Sequence, residues 1–179
     1  MTILIKKIFK DADEKLNFSL SKIILNGPEE QLTLTKNTQP AILTVSYSIF
    51  KVLEDEFNFD LSLFKYFAGH SLGEYSALVC SGSLDFTDAI YLLHARGKAM
   101  QEAVPVGKGS MIAILGSKFE DIQKLISSFT KKGICEIAND NAEGQVIVSG
   151  DKNTIEEFRL FLKDKKIKFI PLKVSAPFH

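Results

Sequence analysis

An α/β protein is the fold this sequence predicts, on three observations. Gly69-His70-Ser71-Leu72-Gly73 stands between a short apolar run, Tyr66-Phe67-Ala68, and an apolar helical pattern, Tyr75 to Cys80. After Pro105 and Gly107 the pattern changes to short apolar strands alternating with two helices. Of the 179 residues, 45% are hydrophobic and 25% charged, enough apolar side chain for a sizeable core.

Taken in order, residues 10–35 read as one helix or two short ones, broken at Asn26-Gly27-Pro28. Pro40 is expected to open the next helix, because proline suits the first helical position. Ala41, Val45, Ile49, Val52 and Leu53 mark that helix's apolar face. Phe64 to Ala68 is expected as a buried strand. Gly73 to Val79 forms a helix ending near Gly82, and Asp85 caps another that runs to about Ala103. Beyond Pro105, strands are expected at Met111–Leu115, Ile134–Ala138, Val146–Ser149 and Phe169–Val174. Helices fall at Phe119–Phe129 and at Thr154–Leu162, the second capped by Asn153, and Asn139–Gly144 is a turn. The order β-α-β-β-α-β is the ferredoxin-like signature. Three regions follow: a core carrying the Gly-x-Ser-x-Gly turn over 1–105, a small subdomain over 106–172, and a return segment over 173–179.

Several function classes are excluded or disfavoured. Net charge is zero, so no nucleic-acid footprint is implied. No apolar run approaches a membrane span, and the N-terminus lacks signal-peptide features, so a cytoplasmic protein is expected. Cys80 and Cys135 are too few for a disulfide framework or a metal cluster and read as buried reduced thiols. Three histidines without paired spacing make a metal site unexpected.

Strand, Gly-x-Ser-x-Gly, helix is the nucleophile-elbow arrangement. The glycines permit a sharp bend that lifts the Ser71 hydroxyl outward. The Leu72 amide then lies at a helix start, where N–H groups are free and the dipole favours negative charge, forming half of an oxyanion hole. A plain Gly-rich turn is the competing reading. Ser71 needs a base, and His70, His94 and His179 are the candidates. His70 is adjacent in sequence and points away across an elbow. His94 lies roughly 100° from the centre of the face Phe86, Ile90, Leu93, Gly97, Met100, which suits a boundary histidine. His179 follows the last strand, and on spacing alone it reads as a tail. Arg96 sits about 60° from the same apolar centre, so it needs a partner or a route to water. Glu74 and Glu102 could pair with it, or it could snorkel. Alternatively its guanidinium fork, near a serine nucleophile, selects an acyl group that carries its own carboxylate.

Gly69-His70-Ser71-Leu72-Gly73-Glu74-Tyr75-Ser76-Ala77-Leu78, Arg96-Gly97-Lys98-Ala99-Met100-Gln101 and Ser175-Ala176-Pro177-Phe178-His179 resemble the malonyl-CoA:acyl carrier protein transacylases. Thr38-Gln39-Pro40-Ala41 and Asn141-x-x-Gly144-Gln145-Val146 resemble further segments of that family, in the right order. The resemblance implies an α/β-hydrolase-like core with a ferredoxin-like insert. It also implies an S-malonyltransferase with no cofactor, malonyl-CoA as substrate and acyl carrier protein as partner. By the same resemblance Ser71 is the nucleophile, His179 the base and the Leu72 amide an oxyanion donor. Arg96 grips the malonyl carboxylate, with His70, Gln39 and Asn141 in supporting binding roles. Phe178, before the histidine, favours malonyl over methylmalonyl by its bulk.

Two features of the family pattern are absent from this sequence. One is an opening Gly-Gln-Gly-Ser-Gln loop, whose glutamine supplies the second oxyanion donor. The other is the chain that follows the histidine. The sequence therefore resembles an internal piece of a transacylase, expected to have little activity alone, since losing one oxyanion donor costs about 10²–10³ in rate. Two competing readings remain. A serine hydrolase would use Asp140, Asp151 or Asp164 to orient the histidine, but would leave Arg96 without a role. A non-catalytic carrier-protein-binding fragment would dock through Arg159, Lys163, Lys165, Lys166 and Lys168, which read more simply as a solvated helix face.

Overall fold

The computed structural model describes residues 2–105, 107–130, 132–172, 174 and 177–179. Elements of the predicted regions that fall on Val106, Lys173, Ser175 and Ala176 lie outside the described residues. The chain is α/β, with eight α-helices and one antiparallel sheet among the described residues. It divides into two compact units, Met1–Ala99 and Met100–His179.

The first unit is helical. Helix α1 (Ile3–Leu16) starts where the Thr2 hydroxyl accepts the Ile5 N–H, and stops at Asn17 in the left-handed region. Helices α2 (Leu20–Asn26) and α3 (Glu29–Thr33) flank the break at Gly27-Pro28. The helical region thus begins at Ile3, not at residue 10, because the Thr2 cap starts a helix whose buried stripe, Ile8, Phe9 and Ala12, opens before residue 10. Helix α4 (Thr35–Asp55) is followed by a single 3-10 turn, Leu61–Leu63. Helix α5 (Gly73–Cys80) ends near Gly82, as expected, and the positive φ of 73° there suits glycine. Helix α6 (Phe86–Ala103) opens at Asp85, whose carboxylate accepts the N–H groups of Thr87 and Asp88. The Thr87 hydroxyl first, and then those backbone N–H groups, hold the Asp85 carboxyl below its ordinary pKa. The core joins Ile8, Ala12 and Leu20 to Ala41, Leu43, Val79, Phe86, Ala89, Ile90 and Leu93.

Three expectations fail here. Phe64 to Ala68 is not a strand, and it is exposed, with Tyr66 87% accessible. A strand needs a neighbour's N–H and C=O groups, and the described residues of this unit form helices alone. Helix α4 begins at Thr35, which places Pro40 inside it. Finally, α4 buries Ala41, Thr44 and Ser48, while Val45, Ile49 and Leu53 are exposed. Polar side chains on the buried face return their hydrogen bonds to the backbone, Thr44 to Pro40 O at 2.8 Å and Ser48 to Thr44 O at 2.7 Å.

The second unit runs β1 (Gly109–Leu115), α7 (Phe119–Ser128), β2 (Cys135–Ala142), β3 (Gln145–Asp151), α8 (Lys152–Asp164) and β4 (Lys168–Pro171). The sheet order is β2-β3-β1-β4, and every pairing is antiparallel. β1 pairs with β3 from Gly109↔Asp151 to Leu115↔Gln145. Alternation along β1 splits the core: Ile112 and Ile114 face Ile122, Ile155, Phe158 and Leu162, while Met111 and Ala113 pack with Ile147 and Phe178. Asn139–Gly144 is not one long turn. β2 continues to Ala142 through two register shifts, so only Glu143-Gly144 turns, with Gly144 at φ 78°. β4 ends at Pro171 rather than at Val174. The N-cap of α8 is Asp151 rather than Asn153.

Both thiols are free and half-buried rather than fully buried. Burial pushes the Cys80 pKa up, and that of Cys135 up to about 11, from an ordinary 9.0. The folded state therefore favours the Cys135 thiol. That preference stabilises fully below pH 9 and is lost as pH rises towards 11. Wild-type urea midpoints should fall across that window more steeply than those of Cys135→Ala, and Cys135 should resist alkylation at pH 8.

Candidate active site

Ser71 sits at the bend before α5 with φ 53°, a left-handed conformation that non-glycine residues adopt at a cost. The bend is held by Gly73 N–H to His70 O at 2.8 Å and Glu74 N–H to Ser71 O at 3.2 Å. Gly69 is required by the closeness of the turn, because a Cβ there would lie 1.9 Å from Gly73 O. Leu72 is the N-cap residue of α5, so its N–H points out of the helix start. Ser71 is half-buried and His70 is exposed.

Arg96 reaches this bend from α6. Its Nη2 donates to Ser71 Oγ at 3.2 Å and its Nη1 to Gln39 Oε1 at 2.5 Å. Arg96 is half-buried, and it donates to an alcohol and an amide rather than to Glu74 or Glu102. Helix α4 supplies Gln39, which is buried, and the Gln39 Nε2 donates to Thr35 Oγ1 at 2.8 Å. Ser71, Arg96 and Gln39 therefore converge, placing a cation with carboxylate-matching geometry against a strained serine.

Helices α4 and α6 meet closely at this point. Gly97 would, with a Cβ, stand 2.5 Å from Lys36 Cα and 2.7 Å from Thr35 O. Pro40 has no N–H to give the Lys36 carbonyl, and His94 Nδ1 lies 2.8 Å from that oxygen instead. The His94 ring packs on Phe18, with centroids 5.5 Å apart. His94 is thus a boundary histidine with a structural partner. Reading the helix as starting at Pro40 hid both the Thr35–Gln39 pair, four residues apart on one helix, and the carbonyl that Pro40 releases.

The remaining sequence candidates belong to the second unit. Asn141 lies at the end of β2, where its Nδ2 donates to Gln145 Oε1 at 3.0 Å. His179 is exposed at φ 57°, and the Phe178 N–H donates to Met111 Sδ at 3.2 Å. Lys163, Lys165, Lys166 and Lys168 are exposed, as a solvated face requires, while Arg159 pairs with Glu156 and covers the Phe169 ring. Among the described residues no group of His, Cys, Asp or Glu could hold a metal, and no helix is long and apolar enough to cross a membrane.

Residues 5–179 match the family model described as the acyl transferase domain. The chain belongs to the acyl transferase domain family. This acyl transferase chain is 44% identical over 177 residues to the malonyl CoA-acyl carrier protein transacylase of Bacillus subtilis, covering 97% of the chain and 54% of that protein. The acyl-carrier-protein S-malonyltransferase of Bartonella henselae superposes with a TM-score of 0.91 at 40% identity, covering 99% of this chain and 57% of that one. A malonyl-transacylase solved in complex with its type II PKS acyl-carrier protein superposes at 0.86 with 38% identity, covering 98% of this chain and 56% of that one. The acyl transferase chain spans about half the length of the curated relatives it matches.

Proposed function

We propose that this chain carries the nucleophile and the carboxylate-recognition site of a malonyl-CoA:acyl carrier protein transacylase. The observation that carries the reading is the Arg96 guanidinium, set 3.2 Å from Ser71 Oγ and held by Gln39. A fork fixed through Nη1 by Gln39, with Nη2 on the exchangeable Ser71 hydroxyl, suits an acyl group ending in a carboxylate. A neutral-ester hydrolase has no use for that cation beside its nucleophile.

In this reading His179 takes the Ser71 proton as Oγ attacks the malonyl thioester carbon. The Leu72 N–H steadies the oxyanion, and Arg96 exchanges the serine oxygen for the malonyl carboxylate. The carbon–sulfur bond breaks, and the coenzyme A thiolate leaves with the proton held by His179. The phosphopantetheine thiol of acyl carrier protein then gives its proton to His179 as its sulfur attacks the ester carbon; the bond from that carbon to Ser71 Oγ breaks, and His179 returns the proton to Oγ, which restores the serine. His70 and Asn141 take supporting binding roles, the bulk of Phe178 favours malonyl over methylmalonyl, and no cofactor enters the scheme. The resemblance supports the roles of His179, Asn141 and Phe178, and the names of the relatives support the two substrates. The finer architecture belongs to the same proposal, with an α/β-hydrolase-like core over 1–105, a ferredoxin-like insert over 106–172 and a return segment from 173. The β-α-β-β-α-β element order and the β2-β3-β1-β4 sheet support the ferredoxin-like insert, and the sequence resemblance supports the hydrolase-like core.

The half-reaction tests this without requiring turnover. Prolonged incubation with malonyl-CoA should leave one malonyl ester on the Ser71 peptide by mass spectrometry, absent in Ser71→Ala. An unlabelled wild-type chain would contradict the reading.

A further inference from the structure

We propose that Thr35 is a positioning residue for acyl-group selection, acting through Gln39 on Arg96; the link to acyl selection rests on the function proposed above. A guanidinium only donates, so Gln39 supports Arg96 only when its amide oxygen, not its nitrogen, faces the arginine. The two ends of that amide differ by a single rotation. Thr35 Oγ1 takes the Nε2 hydrogen at 2.8 Å, and this fixes Oε1 towards Arg96 Nη1 at 2.5 Å. Thr35 and Gln39 are both nearly inaccessible, at 5% and 3%, so water competes little for either end of the amide.

Thr35 is itself held. Its backbone oxygen lies under Gly97, one residue beyond Arg96, so closely that a Cβ would come within 2.7 Å. The neighbouring Lys36 carbonyl is taken by His94 Nδ1, two residues before Arg96. The hydroxyl that orients the amide is therefore anchored to the same turn of α6 that carries the guanidinium. The arrangement runs from α6 through the α4 backbone to Thr35, to Gln39, and back to Arg96 Nη1. Arg96 is then free to turn Nη2 towards Ser71 Oγ or towards an acyl carboxylate near it.

Thr35→Val keeps the shape and removes the hydroxyl, and Thr35→Ser restores it. Binding of malonyl-CoA and of acetyl-CoA to the full chain is measured by calorimetry, with the side-chain amide signals of Gln39 followed by nitrogen-edited NMR. The expected result is a roughly tenfold weaker malonyl-CoA affinity in Thr35→Val, the size of one charge-assisted hydrogen bond. Acetyl-CoA affinity should stay within about twofold, Thr35→Ser should recover the malonyl preference, and the Gln39 amide signals should move in the valine variant alone. Unchanged selectivity in Thr35→Val overturns the proposal. So does equal weakening of both ligands with no rescue by serine, which would mark Thr35 as structural only. If the wild type itself shows no malonyl preference, the carboxylate reading of Arg96 fails. The Gln39 signals then decide the orientation claim alone: displaced in valine and kept in serine upholds it, unmoved in both overturns it.

Discussion

Gly69→Ala should lower malonyl labelling of Ser71 by about 10²-fold or more, the scale expected when a nucleophile is displaced by about 1 Å. A Cβ at Gly69 would meet Gly73 O at 1.9 Å, Gly73 C at 2.0 Å and Glu74 N at 2.5 Å. All three are backbone atoms of the first turn of α5, so no side chain can swing away. The bend must open, and opening it breaks the hydrogen bonds from Gly73 to His70 O and from Glu74 to Ser71 O. Ser71 then loses its left-handed conformation and its approach to Arg96. Helix α5 is only eight residues long, so circular dichroism should change little while labelling collapses. Labelling within twofold of wild type would show that the bend does not position the serine.

Gly97→Ala should destabilise the first unit by about 1–3 kcal/mol, the range for overpacking a close contact. Alanine gains up to about 1 kcal/mol in helix propensity over glycine, so propensity alone predicts the opposite sign. The steric effect is expected to win, because the added Cβ meets Lys36 Cα at 2.5 Å, Lys36 N at 2.7 Å and Thr35 O at 2.7 Å. Separating α4 from α6 also stretches His94 from Lys36 O and Arg96 from Gln39. All four tyrosines, Tyr47, Tyr66, Tyr75 and Tyr91, lie in the first unit, so tyrosine fluorescence during urea unfolding reports on that unit alone. A lower midpoint with an unchanged slope is expected. A raised midpoint would mean that propensity governs and the helices are free to part.

Much of the site was legible in the sequence because its signals are local. Gly69-His70-Ser71-Leu72-Gly73 encodes its own bend, and Arg96 stood out as a charge at the edge of an apolar face. What Arg96 touches was not legible, since Gln39 lies 57 residues away and no spacing rule links the two. The second unit was read nearly element by element, because apolar alternation in β1 and β3 and the amphipathic stripes of α7 and α8 are complete within the segment. The errors arose where the outcome depends on partners. The apolar run Phe64 to Ala68 has strand composition but no strand beside it among the described residues. The Val45, Ile49, Leu53 stripe of α4 shows a face suited to burial, yet the helix buries Thr44 and Ser48 instead. Pro40 by residue type suits a helix start, yet it lies inside α4, where its missing N–H is compensated from another helix by His94.

The most direct measurement is a competition between malonyl-CoA and acetyl-CoA for Ser71, with the two esters counted on one peptide in wild type and in Arg96→Ala. The account predicts that wild type takes malonyl over acetyl by roughly 10–100-fold, as a charge-assisted carboxylate contact of about 1.5–3 kcal/mol requires. It also predicts that Arg96→Ala removes that preference. Equal labelling by both thioesters in wild type, or a malonyl preference that survives the loss of Arg96, would contradict it.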